Sequence, residues 1–492
     1  MGSVNLNNDE IPFLAVPLPE DILKLKWAGE FEQADRVIDR RLKKDLPEGL
    51  RKRLMLEKEM LKQIPGQYPY TWEKALQRMR DNIRDFREEE LKELWEEDAA
   101  DWIFIRGEVH FRDNFLENIV KTREEYRKRI LDPRLDGESV HGEILDRTIE
   151  EMRKNGHLAE EIRMKIRLRI KEEAERENAR IRVYLPVPLE YEQIRNVRLT
   201  AVRIGGQPAK AEEYTLAPPD SEQRTVCMET VHRRGQEYEI QFSFENHMKY
   251  VDLSTSKALE LAAGGEWEMG LGIHDPSRYL GERLPHIRFT PYIRGLAREI
   301  VGEEKNPLAK ARKIYDFITT HVNYSYVRSY LTLENIPEEA AVSLKGDCGV
   351  QALLFIVLCR VSGIPARWQS GLFTAPHKAG CHDWAQFYIA PFGWLFADCS
   401  FGGSARRNHS DSRWNFYFGN LDPFRLPAAR RILFRPAAFC AAIPMTTRPG
   451  KWSTRTGGFC GESMRQASSS KGFLLWHDRT ENRAFPEESY SL

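Results

Sequence analysis

The chain has few of the features that would set it apart from an ordinary globular protein. Its apolar runs, such as 352–359, are far too short to span a bilayer, which argues against an integral membrane protein. No basic segment followed by an apolar stretch opens the sequence, and Gly2 lacks the downstream Ser or Thr of a myristoylation signal. Cysteine is scarce and odd in number, 7 in 492 residues, so no disulfide framework is expected. Neither charge sign is in excess: Lys plus Arg is 74 and Asp plus Glu is 74. That balance removes any chain-wide attraction to nucleic acid or to an anionic membrane. A phosphate-binding loop of the Walker type and an internal repeat of solenoid length are also missing. These absences predict a cytoplasmic protein with no nucleic-acid or membrane partner. What is present is core material: 41% hydrophobic and 11% aromatic residues, in a chain long enough for roughly two to four domains.

Residues 1–179 read as a charged helical region. Trp27, Phe31, Ala34, Val37 and Ile38 recur at helical spacing, as do Ile162, Ile166, Ile170 and Ala174, and Pro47, Pro65 and Pro133 punctuate the run. Its charge runs read as solvated faces, and binding of a partner through this region has no residue-level signature. Near Ala179 the texture changes to β-branched alternation, with a period-two strand over 237–245 and a turn at Gly205-Gly206. Residues 180–284 are therefore expected to form a small antiparallel β domain followed by a glycine-rich linker from 256. Over 285–427 the pattern is mixed: helix over 296–322, a short apolar helix over 349–362, then strands over 382–389 and 393–398. The class expected overall is α+β.

One constellation carries chemistry. Cys348 sits between small residues directly before the apolar helix, where the helix dipole and free N–H groups favour a thiolate. Cys359, inside that helix, reads as an inert core residue. A nucleophilic thiol needs a base, and the base needs an orienting group. His382 begins one strand and Asp398 ends the next. With 389–393 as the turn, position 384 faces 398 and 382 faces 400, which leaves His382 and Asp398 diagonal neighbours about 5–8 Å apart at Cβ. A slip of one residue would separate them. A zinc site built from Cys381, His382, Cys399 and His377 or His409 competes, but it lacks short ligand pairs, and Cys381 and His382 point to opposite strand faces.

The order of these motifs resembles the transglutaminase-like superfamily, a branch of papain-type thiol enzymes. The chain shows Gly346-Asp347-Cys348, then Gly363-Ile-Pro-Ala-Arg367, then His382-Asp-Trp384, then Gly393-Trp394 leading to Asp398. The resemblance covers about 285–425 and implies a papain-like α+β catalytic domain. Its implied catalytic residues are Cys348, His382 and Asp398, and it implies no metal or organic cofactor. Protein or peptide amides are the implied substrates, through an acyl-enzyme resolved by water. Transfer to an amine, as in protein cross-linking, and a non-catalytic binding scaffold stand as alternatives. Gln386 replaces the acid usual in the family, and Cys399 replaces the proline that often follows the last Asp. The Cys348 N–H is the natural oxyanion donor, with Tyr324 or Tyr326 as side-chain candidates, and Trp384 reads as packing beside the site.

The C-terminal segment differs in composition. No Asp or Glu occurs over 423–461, where a share of 15% predicts about six. With suitable codons, 443–458 can be rewritten one base earlier as an acidic, turn-rich segment. The expectation is a shift of reading frame near 428–442, leaving 428–492 as a tail without structure.

Overall fold

The computed structural model describes residues 10–132, 139–170, 172–190, 192–266, 272–376, 378–431 and 473–478. The fold is α+β, as expected.

Short amphipathic helices fill the N-terminal region and build two small cores, one around Ile22, Ala34, Ile38 and Leu54, the other around Met79, Phe111, Phe115 and Ile119. A hairpin, Trp102–Ile105 with Glu108–Phe111, lies between the helices. Trp27 does not join the buried stripe anticipated for it. It ends the helix Glu20–Trp27, the chain turns at Gly29, and its side chain is 70% exposed.

A larger departure follows the helix Ser139–Asn155. The helix expected across Ile162, Ile166, Ile170 and Ala174 is absent, because His157–Arg169 is a thirteen-residue strand. It pairs antiparallel with Glu237–Lys249, which also pairs with Ile194–Ile204. Ile162, Met164 and Ile166 point inward from it, a period of two. A second sheet, Arg180–Pro186, Thr225–Val231 and Tyr214–Leu216, closes the sandwich. The β unit thus begins at 157 rather than 180, and the segment taken as linker holds a helix, Ser256–Gly264.

The third unit places a five-stranded antiparallel sheet against helices. Its strand order is Phe418–Gly419, Gly393–Ala397, Lys378–Ile389, Ala366–Ala375, Arg425–Ala429. Two helices, Pro291–Val301 and Pro307–His321, precede it; Asn306 caps the second through the N–H groups of Leu308 and Ala309. The helix Cys348–Val361 is buried along nearly its whole length, as its apolar sequence requires. It ends at Gly363, whose φ of +81° favours glycine.

The sandwich core does not stop at the domain edge, since Leu372, Leu426 and Ala428 of the third unit belong to it. Order also continues past 427. Ala428 and Ala429 are buried strand residues, and Phe473–Asp478 pairs antiparallel with His157–Arg169. The expectation of an unstructured tail from 428 is corrected at these two places. Arg430 and Arg431 are described as well; 432–472 and 479–492, and with them 443–458 and most of the 428–442 window of the expected frame shift, lie outside the described residues.

Candidate active site

Cys348 is the first residue of its helix because Asp347 caps it, accepting from the N–H groups of Gly349 and Val350 at 3.1 Å each. The Tyr330 hydroxyl donates to the same Asp347 oxygen. The thiol therefore stands at the positive end of a fourteen-residue helix. Space around it is tight. A Cβ on Gly349 would stand 2.2 Å from the Tyr330 hydroxyl and 2.6 Å from Asp383 Oδ2, so only glycine fits beside the cysteine.

The register of the two neighbouring strands is the one anticipated. Ala385 faces Ala397 and Ile389 faces Gly393, and continuing that pairing sets 384 against 398. His382 Nε2 lies 2.7 Å from Asp398 Oδ2, both groups buried. Asp398 is held from two further directions. Its Oδ2 accepts from Arg425 Nη1 at 2.9 Å and its Oδ1 from the Phe401 N–H at 2.9 Å. Arg425 is itself fixed by Asp422 at 2.6 Å. Burial opposes ionisation of Asp398, but the His382 and Arg425 charges outweigh it and keep the carboxyl below its ordinary range. For His382 burial wins over the pull of Asp398, with Arg425 and Lys121 adding to it, and the imidazole is held below its usual pKa. The Phe401 ring packs 4.5 Å from the imidazole.

Several site residues were not anticipated. Asp383 lies 3.8 Å from Cys348 Sγ through Oδ2, placing a buried carboxylate against the sulfur. Its only sequence signal is adjacency to His382. Arg425 follows Asp398 by 27 residues in sequence and carries no local motif. Lys121 comes from the N-terminal helix Phe115–Thr122 and lies 3.5 Å from the ring centre of Tyr324 and 5.3 Å from that of Tyr326. The same helix supplies Asn118, whose Oδ1 accepts the Tyr326 N–H. Gln67 accepts the Ser329 N–H, and Lys26 and Arg53 both reach Glu334. The N-terminal region is thus fastened to the segment leading into the cysteine.

Other expectations fall into structural roles. Trp384 is fully buried and donates its indole N–H to Gln369 Oε1. Gln386, at the family's usual acid position, accepts from Arg367, which also pairs with Glu192 of the β unit and lies 3.8 Å from the Trp394 ring centre. The motif residues Arg367 and Trp394 therefore form a joint between units. Burial pushes the thiols of Cys359 and Cys399 well above the ordinary range. Among the described residues no three His, Cys, Asp or Glu side chains gather as a metal site, and His377 of the zinc reading lies outside them. Among the same residues no helix is long and apolar enough to cross a membrane.

Comparison with known proteins bears on this domain. The chain is 23% identical over 250 residues to an uncharacterized protein of Haemophilus influenzae, covering 44% of this chain and 62% of that protein. It spans less than two thirds of that relative's length. Among solved structures, the "Putative Cysteine Protease" of Cytophaga hutchinsonii is similar at 16% identity and TM-score 0.38, covering 56% of this chain and 81% of that one. The periplasmic domain of TgpA from Pseudomonas aeruginosa is similar at 14% identity and TM-score 0.26, covering 54% and 94%. With both scores below 0.5, the comparison that places the domain is the sequence match to a family model. Residues 294–399, which hold Cys348, His382 and Asp398, match the transglutaminase-like superfamily, and this part of the chain is a transglutaminase-like domain.

Proposed function

We propose that the protein is a thiol hydrolase acting on an amide bond of a protein or peptide, with Cys348 as nucleophile, His382 as base and Asp398 as its orienting group. The observation that carries this reading is the buried contact between His382 Nε2 and Asp398, anchored by Arg425. An ionised Asp398 takes the Nε2 proton as a hydrogen bond, which leaves Nδ1 as the acceptor for the thiol proton. Sulfur attacks the carbonyl carbon, the imidazolium returns its proton to the leaving amine, and water then cleaves the thioester. The Cys348 N–H at the helix start is the oxyanion donor. A reducing compartment such as the cytoplasm suits a working thiol.

The test is mass-spectrometric mapping of iodoacetamide labelling at limiting reagent and near-neutral pH. Wild type should label fastest at Cys348, and His382→Ala should slow that labelling. Cys227 is as buried as Cys348 and serves as the internal control. Labelling of Cys348 no faster than Cys227 would remove the enzyme reading and leave a binding scaffold. Product analysis with an added primary amine separates hydrolysis from transfer, since an amine adduct appears only if the acyl-enzyme accepts it.

A further inference from the structure

Away from the thiol, a pocket opens between the segment around Leu284–Pro285, the helix Cys348–Val361 and the end of the strand Arg425–Ala429. Five arginines line it: Arg283, Arg360, Arg367, Arg430 and Arg431. Among the described residues, two carboxylates are seen to reach them. Glu222 serves both Arg283, at 3.6 Å, and Arg431, at 2.8 Å, and Glu192 serves Arg367 at 2.6 Å. Arg360 is 7% exposed, and among the described residues its guanidinium hydrogen-bonds only backbone carbonyls, those of Ala366 and Gly281.

A buried guanidinium without a carboxylate partner is costly, and a second one nearby raises the cost. Burial, and then the Arg283 charge, pull the Arg360 pKa down to about 10. Burial and the Arg431 charge lower that of Arg283. Like charges converge here on a cavity of about 60 Å³, room for one group of a few heavy atoms. A second observation points the same way. Trp368 lines this pocket and is buried, and its indole N–H has no acceptor among the described residues. An empty hydrogen-bond donor and surplus positive charge both ask for an acceptor with negative charge.

We propose that this pocket is a binding site for a small oxyanion, a phosphate or carboxylate group, held by Arg283, Arg360 and Arg431 with the Trp368 indole as a further donor. Trp368 Cη2 also lies 2.8 Å from where a Cβ on Gly349 would stand, so the indole that lines the pocket also packs beside the residue after the cysteine. The site does not depend on the thiol chemistry and stands or falls separately from it.

Isothermal titration of the full chain with inorganic phosphate, and separately with succinate, at ionic strength matched by sodium chloride, tests the site. Saturable uptake of one anion per chain is expected, weakened at least tenfold by Arg283→Gln and by Arg431→Gln. Both side chains are partly exposed, so these variants should keep the fold, whereas Arg360→Gln removes structural bonds and serves only as a third, confirming variant. The tighter of the two anions identifies the group recognised. Heats equal to the chloride control, or uptake undiminished in both exposed variants, would overturn the proposal.

Discussion

The two ends of the proposed site are built on opposite electrostatic plans. At the imidazole end the buried polar groups are paired in a chain: the His382 ring faces Asp398, Asp398 faces Arg425, and Arg425 faces Asp422. At the thiol end the Asp383 carboxyl stands 3.8 Å from the sulfur of Cys348, and Asp347 caps the helix that Cys348 begins. A carboxylate beside a thiol disfavours the thiolate, while the helix start favours it. The imidazole end is therefore locked for geometry, whereas the thiol end sets two opposing influences on the sulfur against each other.

Breaking the locked end should have the largest effect. Arg425→Leu leaves Asp398 and Asp422 buried without their cation, and the expected loss is about 3–5 kcal/mol of unfolding free energy. A urea midpoint close to that of wild type would mean that the lock carries little stability. At the balanced end the sign reverses, because Asp383→Asn removes the charge opposing the thiolate. Alkylation of Cys348 at neutral pH should then quicken by about tenfold, one pKa unit of thiol acidity. Slower alkylation would instead make Asp383 a group that assists the sulfur.

The acid limb of that alkylation sharpens the contrast. His382 is held below its ordinary pKa, so it stays neutral, and able to accept a proton, down to a pH below about 6.5. The rate should fall only as pH drops through that lowered value. Since Asp398 is what pulls the imidazole upward, Asp398→Asn should move the limb further down. A limb above 6.5 would contradict the dominance of burial at this histidine. The smallest change is expected for Asp347→Asn, because Asn caps a helix nearly as well as Asp. The melting temperature should move by no more than the equivalent of about 1 kcal/mol.

Legibility followed sequence distance. The His382–Asp398 contact depends on one tight turn and a strand register, and both are local enough to count out from the turn at 389–393. The apolar helix after Cys348 was equally plain, because nothing but burial suits 352–359. Where one spacing fits two structures, the reading failed. Ile162 and Ile166 are four apart, which suits a helix face and also one side of a strand, and the pairing with Glu237–Lys249 decided the matter. The role of Arg425 could not be found because Asp398, 27 residues away, reaches it only after the sheet closes, and the local pair with Asp422 carries no sign of that contact. Asp383 was hidden because a carboxylate beside a cysteine breaks the rule that active thiols have basic neighbours.

The core shared between the sandwich and the third unit has a practical consequence. Leu372, Leu426 and Ala428 fill the β unit from outside it, and Arg425 lies beyond residue 399, where the family match ends. An excised fragment spanning only 294–399 would keep all three proposed catalytic side chains yet lose both edge strands of its sheet and the counter-ion of its aspartate. Such a piece should emerge from expression as insoluble material. The smallest transplantable unit is set by that shared interior, and it is larger than the stretch by which the domain is recognised.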